Sequence, residues 1–374
     1  MDDFLIIGGG ITGTFIAREL TKYDVSVRLL EKEADLAQIQ TTHNSALIHS
    51  PVAIPPSKGP LKSRLALKGN RIHQTLAPAF KVPTLQNGAY MCAFDKEQAE
   101  TLKALKKEAD DRGLDASFLS PKEAIAQEPS LDPGVCAVLL LPDAMTADTY
   151  DLVRKLARNA QNNGAVIQTG MRVDAVDCFE DHFVVHTAKK TFKARHLINA
   201  AGIMNARVAG MVEKEVPYVM RPHRGEYYVL EGEHRKLVHH TLFPVPGEET
   251  KGILVIPQPD GSIRLGPTSE YQTELESAEV THRGLEKVRR GVNRLLKDVP
   301  FEAAKRTYAG LRSTIDKNDF YIARSKEHER FIHVAGIDSP GVTAAPAIAQ
   351  YVVDELIRPH TLLSKKKAFD PFRI

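Results

Sequence analysis

The stretch that decides the fold is Phe4-Leu5-Ile6-Ile7-Gly8-Gly9-Gly10-Ile11-Thr12-Gly13, continued to Val27-Arg28-Leu29-Leu30-Glu31. The run Phe4 to Ile7 is short, apolar and rich in branched residues, as expected of a parallel strand buried on both faces. Gly8, Gly10 and Gly13 fit G-x-G-x-x-G, and Ile11, Phe15, Ile16 and Leu20 form the apolar stripe of a following helix. Val25 to Leu30 reads as a second strand that ends on Glu31. Each glycine has its own task. Gly8 permits the tight turn, Gly10 lets a pyrophosphate approach the backbone, and Gly13 brings the helix close to the sheet. The first helical residues, Ile11 and Thr12, offer backbone N–H groups and the positive end of the helix dipole. Glu31 lies about 20 residues beyond the glycines, where a carboxylate accepts hydrogen bonds from an adenosine ribose. The unit predicts a dinucleotide site; the glycine pattern by itself serves FAD and NAD alike.

The chain has 374 residues and a formal charge of +3, with acids and bases mixed along its length. That allows two domains and gives no basic arm or face of the kind a nucleic-acid binder carries. Three separated cysteines, Cys92, Cys136 and Cys178, form no C-x-x-C and give no metal or disulfide framework. No apolar run has the length of a membrane span, and Phe4 to Ile7 follows the first residues directly, without a signal peptide. A cytosolic protein is expected, with peripheral membrane contact left open. The sequence leaves the oligomeric state undetermined.

After Glu31 the chain is polar to Thr42, and then His43-Asn44-Ser45-Ala46-Leu47-Ile48-His49 is followed by Pro51, Pro55, Pro56 and Pro60. So many prolines break helix and strand alike and predict a functional loop. Helices are expected over 61–80, 97–112, from Pro121, over 150–162 and over 283–296. The run His196-Leu197-Ile198-Asn199-Ala200-Ala201-Gly202 reads as a buried strand that returns to the nucleotide domain. From 218 to 268 strand follows strand, with a hairpin turn at Asp260-Gly261. Phe331 to Gly336 is a last buried strand, followed through Ser339-Pro340-Gly341 by a helix to about Leu356. The expected architecture is α/β, with a Rossmann-like domain of residues 1–80, 145–215 and 325–374. A mainly antiparallel substrate domain, 81–144 and 216–324, is threaded between these pieces.

Over nearly its whole length the chain resembles the flavin-dependent oxidoreductases of the D-amino-acid-oxidase-like superfamily. Within it, the chain looks most like the glycerol-3-phosphate oxidases and dehydrogenases, with the L-2-hydroxyglutarate dehydrogenases as cousins. The resemblance rests on the N-terminal fingerprint, His43-Asn44-Ser45 with Ile48-His49, and Asn199-Ala200-Ala201-Gly202. It rests further on Arg221-Pro222 with Arg224-Gly225-Glu226-Tyr227, Gly266-Pro267-Thr268, Tyr308 to Ser313, and Ser339 to Pro346. It implies noncovalent FAD, held by Gly8, Gly10, Ile11, Thr12, Gly13, Glu31 and Lys32. The loop Thr42, His43, Asn44 and Ser45 is implied along the flavin. Val173, Ala200, Gly202, Gly310 and Gly336 are implied to contact FAD, as are Pro340, Gly341, Val342 and Thr343 at the start of the last helix. It further implies His49 as the base, Arg312 as the cation on the substrate's anionic group, and Lys251 and Ser339 as substrate ligands. The implied reaction is oxidation of sn-glycerol 3-phosphate to dihydroxyacetone phosphate, with L-2-hydroxyglutarate as the alternative substrate. Oxygen, a quinone or a carrier protein would take the electrons. Two positions depart from the family pattern: Ala46 stands where glycine is usual, and Ser50-Pro51 stand where a small residue and glycine are usual.

Overall fold

The computed structural model describes residues 1–245 and 252–374. The run Phe4 to Ile7 lies in the strand Asp2–Ile7, at the centre of an eight-stranded sheet. Its side chains are almost wholly buried because helices cover the sheet. Asp2–Ile7 pairs in parallel with Val27–Leu30 on one edge and Thr191–Asn199 on the other. Val166–Gln168 extends the parallel set beyond Val27–Leu30. The strand Thr191–Asn199 divides its free edge. Residues 191–194 pair antiparallel with Phe183–Thr187, and residues 197–199 pair in parallel with Phe331–Ala335. The carboxyl ends of the central strands therefore meet at Gly8 and Ala200, where open α/β sheets bind ligands. Ala200 N–H donates to Ile7 O at 2.9 Å, and a β-carbon on Gly8 would fall 2.3 Å from Ala200 O.

Three helices pack on one face of this sheet. Ile11–Leu20 lies against Thr149–Asn162 and the last helix, Gly341–Tyr351. Phe15, Ile16, Leu20, Leu152, Leu156, Ala344 and Ile348 share one apolar core. The long helix Pro60–Ala79 crosses the last helix at a contact that only glycine permits. A β-carbon on Gly69 would lie 2.0 Å from Thr343 O. Near that crossing, His73 donates from Nε2 to Val342 O at 2.9 Å and meets Phe15 edge-on. The first turn of the last helix is thus fixed from below.

The second sheet has nine strands. Its long member, His223–Leu230, lies between Ile263–Gly266 and Arg306–Arg312, both antiparallel. The sheet is mainly antiparallel, but Thr241–Pro244 runs parallel to Ala89–Ala93, which joins the two inserted pieces of chain. The helix His282–Val292 covers it, with the buried Glu226 carboxylate accepting Thr281 N–H at 2.8 Å. A three-stranded sheet of Leu47–Ile48, Met145–Ala147 and Thr84–Leu85 was not foreseen. Its strands are two or three residues long, too short to carry a periodic signal. Two details add to the expected layout. Tyr321–Arg324 pairs with Phe331–Ala335 in the first sheet, so the chain returns there ahead of residue 325. The last helix keeps α geometry only to Tyr351 and continues as a π-helical turn, Val352–Ile357. Among the described residues no helix is long and apolar enough to cross a membrane.

His73 is fully buried, and burial pushes its pKa from 6.5 down to about 4. Below pH 6.5 the unfolded chain takes up a proton that folded His73 refuses until about pH 4. The resulting stability is complete above pH 6.5 and is lost as the pH falls toward 4. His73→Gln keeps a donor toward Val342 O and cannot titrate. Denaturant titrations of this variant should show a stability loss across that window smaller by about 3 kcal/mol than in the wild type.

Candidate active site

A cavity of about 760 Å³ runs between the two sheets. One end is the glycine turn, where Gly8, Gly10, Ile11 and Thr12 line the wall with Glu31 and Lys32. Gly13 does not line it; a β-carbon there would lie 2.0 Å from Gly8 O, so Gly13 sets the helix-to-turn distance. A β-carbon on Gly10 would meet only Thr41 Oγ1, at 3.2 Å, and otherwise points into open space. The helix Ile11–Leu20 has no side-chain cap on Gly10, and Ile11 N–H reaches Thr41 Oγ1 at 3.1 Å. Its other first-turn N–H groups are available to an anion. Glu31 is buried, with Oε2 accepting Gly9 N–H at 2.6 Å and Oε1 accepting Glu33 N–H at 2.9 Å. Each carboxylate oxygen keeps a second acceptor site. Val173, Ala200 and Gly202 complete this end.

The loop Thr42 to His49 forms the middle of the wall. His43, Asn44 and Ser45 line the cavity, whereas Thr42 turns away to donate to Ala37 O at 2.9 Å. Asn44 folds on its own loop, donating to Thr41 O at 2.6 Å and accepting Ala46 N–H at 2.6 Å. Ala46 is left-handed, with φ 55°, a conformation that favours glycine; alanine costs about 1–2 kcal/mol. Asn44 O accepts from Tyr308 Oη at 2.8 Å and Arg264 Nη1 at 2.6 Å, which ties the loop to the second sheet. Gly310 lines the cavity, and a β-carbon on it would lie 1.9 Å from His43 O. Pro51 follows the loop directly. It opens the short helix Pro51–Ala53, capped by Ser50 Oγ accepting Val52 N–H at 3.3 Å.

His49 lies at the far end, buried, beside a Phe243 ring 5.9 Å away. Its backbone is held from two helices. The N–H donates to Thr343 Oγ1 at 2.9 Å, and the carbonyl accepts from Asn70 Nδ2 at 3.0 Å. Its Nε2 lies 3.4 Å from Ser339 Oγ. Ser339, Pro340, Gly341 and Val342 line the cavity at the start of the last helix, while Thr343 is buried behind them. Gly336 also lies off the cavity; its φ of 68° lets the strand turn beside Ile315. Arg312 also lines the cavity. Its Nη2 donates to Thr268 O at 2.9 Å, and its guanidinium also hydrogen-bonds the Tyr227 side chain. A guanidinium donor so placed favours an anionic occupant. Buried Tyr227 lies within reach of the Arg312 charge, which opposes the upward push of burial on its phenol pKa. Lys251 lies outside the described residues.

Sequence reading missed several supports. Asn70 is a polar residue inside a helix, with no local pattern to mark it. Thr343 was expected to contact the cofactor rather than to hold His49. Tyr227 and Thr268 stood within motifs that carry the family resemblance, but without an assigned part. Lys62 and Asp338, paired at 2.8 Å on the cavity wall, were not singled out.

A family model described as FAD dependent oxidoreductase (DAO) matches residues 3–355. A glycerol 3-phosphate dehydrogenase of Caloramator mitchellensis is 32% identical over 374 residues, covering 100% of this chain and 77% of that protein. A glycerol 3-phosphate oxidase of Mycoplasma genitalium is 29% identical, covering 99% and 97%. Among solved structures, a dithionite-reduced L-α-glycerophosphate oxidase from Mycoplasma pneumoniae, with FAD bound, aligns with a TM-score of 0.91 at 27% identity. That alignment covers 99% of this chain and 97% of the other. The cofactor is FAD, and the open side of Gly10, the uncapped helix start and the fixed Glu31 carboxylate fit its pyrophosphate and ribose. Glu31→Ala should therefore weaken FAD binding by about 1.5–3 kcal/mol, the worth of a charged hydrogen bond. Flavin fluorescence on titrating apoprotein with FAD measures this, and an unchanged Kd would remove Glu31 from the site.

Proposed function

The chain belongs to the DAO family of FAD-dependent oxidoreductases, and on that footing we propose that it oxidises sn-glycerol 3-phosphate to dihydroxyacetone phosphate. One observation carries the reading. A buried imidazole, His49, and the Arg312 guanidinium line the same cavity as the glycine turn. Oxidising an alcohol removes a hydroxyl proton and a hydride from carbon. Bound FAD supplies the acceptor for the hydride. His49 Nε2 takes the hydroxyl proton, and Ser339 Oγ beside it orients the substrate. Arg312 holds the phosphate with the edge that Thr268 O leaves unused. The clamp of Thr343 and Asn70 on the His49 backbone keeps the ring in place. Leu47, Ile54 and Leu254 add apolar wall to the cavity. Oxygen, a quinone or a carrier protein completes the cycle as electron acceptor.

His49→Ala should retain FAD and substrate affinity while anaerobic flavin reduction slows by roughly 10²–10⁴-fold, the usual worth of a placed base. Arg312→Ala should instead weaken glycerol 3-phosphate binding by about 1.5–3 kcal/mol. Glycerol, which lacks the anion, should be a very poor substrate of the wild type and insensitive to Arg312→Ala. Stopped-flow reduction over a range of substrate concentrations separates these effects. A His49→Ala enzyme reduced at the wild-type rate would place the base elsewhere.

A further inference from the structure

A second, shallower groove of about 460 Å³ adjoins the mouth of the main cavity. His223, Thr314 and Asn318 line both, so these residues are the wall between them. The groove is built where residues 219–223 run beside 312–316. Arg221 N–H donates to Thr314 O at 2.8 Å, Asp316 N–H to Val219 O at 2.9 Å, and Val219 N–H to Asp316 Oδ1 at 3.0 Å. Exposed Arg221 and Lys317 line it, and Lys317 Nζ sits 5.8 Å from the centre of the Tyr321 ring. Exposed Lys58 lines the cavity beside Asn318.

The charges here are unbalanced. Neither Arg221, Lys317 nor Lys58 joins an ion pair among the described residues. The acid lining the groove is Asp316, which accepts Val219 N–H and keeps its charge, so Arg221 and Lys317 leave the lining net positive. Nearby acids are committed. Asp338 pairs with Lys62 and Glu270 with Lys287, while the Asp319 carboxylate accepts Leu61 and Lys62 N–H, both at 2.8 Å. His223 contacts Ser269 Oγ through Nδ1 at 3.1 Å; burial and the Arg312 charge push its pKa down, so it stands neutral in the wall. Arg312 is its cross-strand partner and lines the main cavity.

We infer that the groove formed by residues 219–223 and 314–318 is an outer anion site, where Arg221 and Lys317 first hold the substrate's phosphate or carboxylate before it passes His223 to Arg312. This rests on the substrate of the proposed function being anionic, not on its being glycerol 3-phosphate. Cations grouped at the mouth of a low-dielectric cleft raise the local concentration of an anion and its rate of arrival. They make no contact in the reacting complex, so the step at saturation does not depend on them.

The test is anaerobic flavin reduction by the holoenzyme carrying Arg221→Glu and Lys317→Glu together, with Arg221→Gln and Lys317→Gln as the milder pair. At about 0.01 M salt, where screening reaches about 30 Å, kcat/KM for glycerol 3-phosphate should fall about tenfold in the charge-reversed enzyme and less in the milder one. At about 1 M salt, where the screening length is about 3 Å, the enzymes should converge. The rate at saturating substrate should be unchanged throughout, and neutral glycerol should not distinguish the enzymes. An equal kcat/KM at low salt would overturn the inference. So would a loss that persists at high salt or extends to glycerol, since either marks structural damage. Should glycerol 3-phosphate fail to reduce even the wild type, the proposed substrate fails. L-2-hydroxyglutarate, also a dianion, then runs the same arms and tests the groove by itself.

Discussion

The contact on which the site depends is the crossing of the long helix Pro60–Ala79 over the last helix at Gly69 and Thr343. With no side chain on Gly69, the two backbones approach until Thr343 O fills the place of a β-carbon. This closeness lets one helix supply Asn70 and the other Thr343 to opposite ends of the same residue, His49. The imidazole is thus carried by two helix backbones that pack on the central sheet, although it sits in a loop. Such support suits a group that must hold a reacting distance within a fraction of an ångström. The same crossing points the start of the last helix, Ser339 to Val342, into the cavity, where its positive end favours developing negative charge.

The second sheet contributes a different kind of chemistry. Arg312 ends a strand that pairs residue for residue with 223–229, and Tyr308 and Arg264 of the same sheet hold Asn44 O of the loop. The cavity is therefore closed by polar contacts between the sheets as well as by packing. His49 comes from the nucleotide side and Arg312 from the inserted side. Substrate binding then depends on the relation between the two, which Gly310 fixes by its close approach to His43 O.

Much of this was legible in the sequence, and the reasons are local. Gly8, Gly10, Gly13 and Glu31 form a short pattern whose physics is carried by backbone turns, and it reads directly. Prolines around His49 announced an irregular loop. What could not be read is long-range. The parallel pairing of Thr241–Pro244 with Ala89–Ala93 joins segments far apart in the chain, and nothing in either strand specifies its partner. The return of Tyr321–Arg324 to the first sheet is hidden for the same reason. Asn70 looks like any polar residue on a helix until its neighbours are known. Thr343 was associated with the cofactor, yet its hydroxyl serves His49. Alanine at position 46 looked like a departure from the family, but the backbone adopts the left-handed turn regardless.

The most direct measurement of the central claim is anaerobic mixing of the yellow holoenzyme with sn-glycerol 3-phosphate and, separately, with L-2-hydroxyglutarate, following the flavin absorbance. The account predicts rapid bleaching by glycerol 3-phosphate and much slower bleaching by L-2-hydroxyglutarate. Faster bleaching by L-2-hydroxyglutarate would contradict the assignment of a phosphate to Arg312 and of the glycerol carbinol to His49.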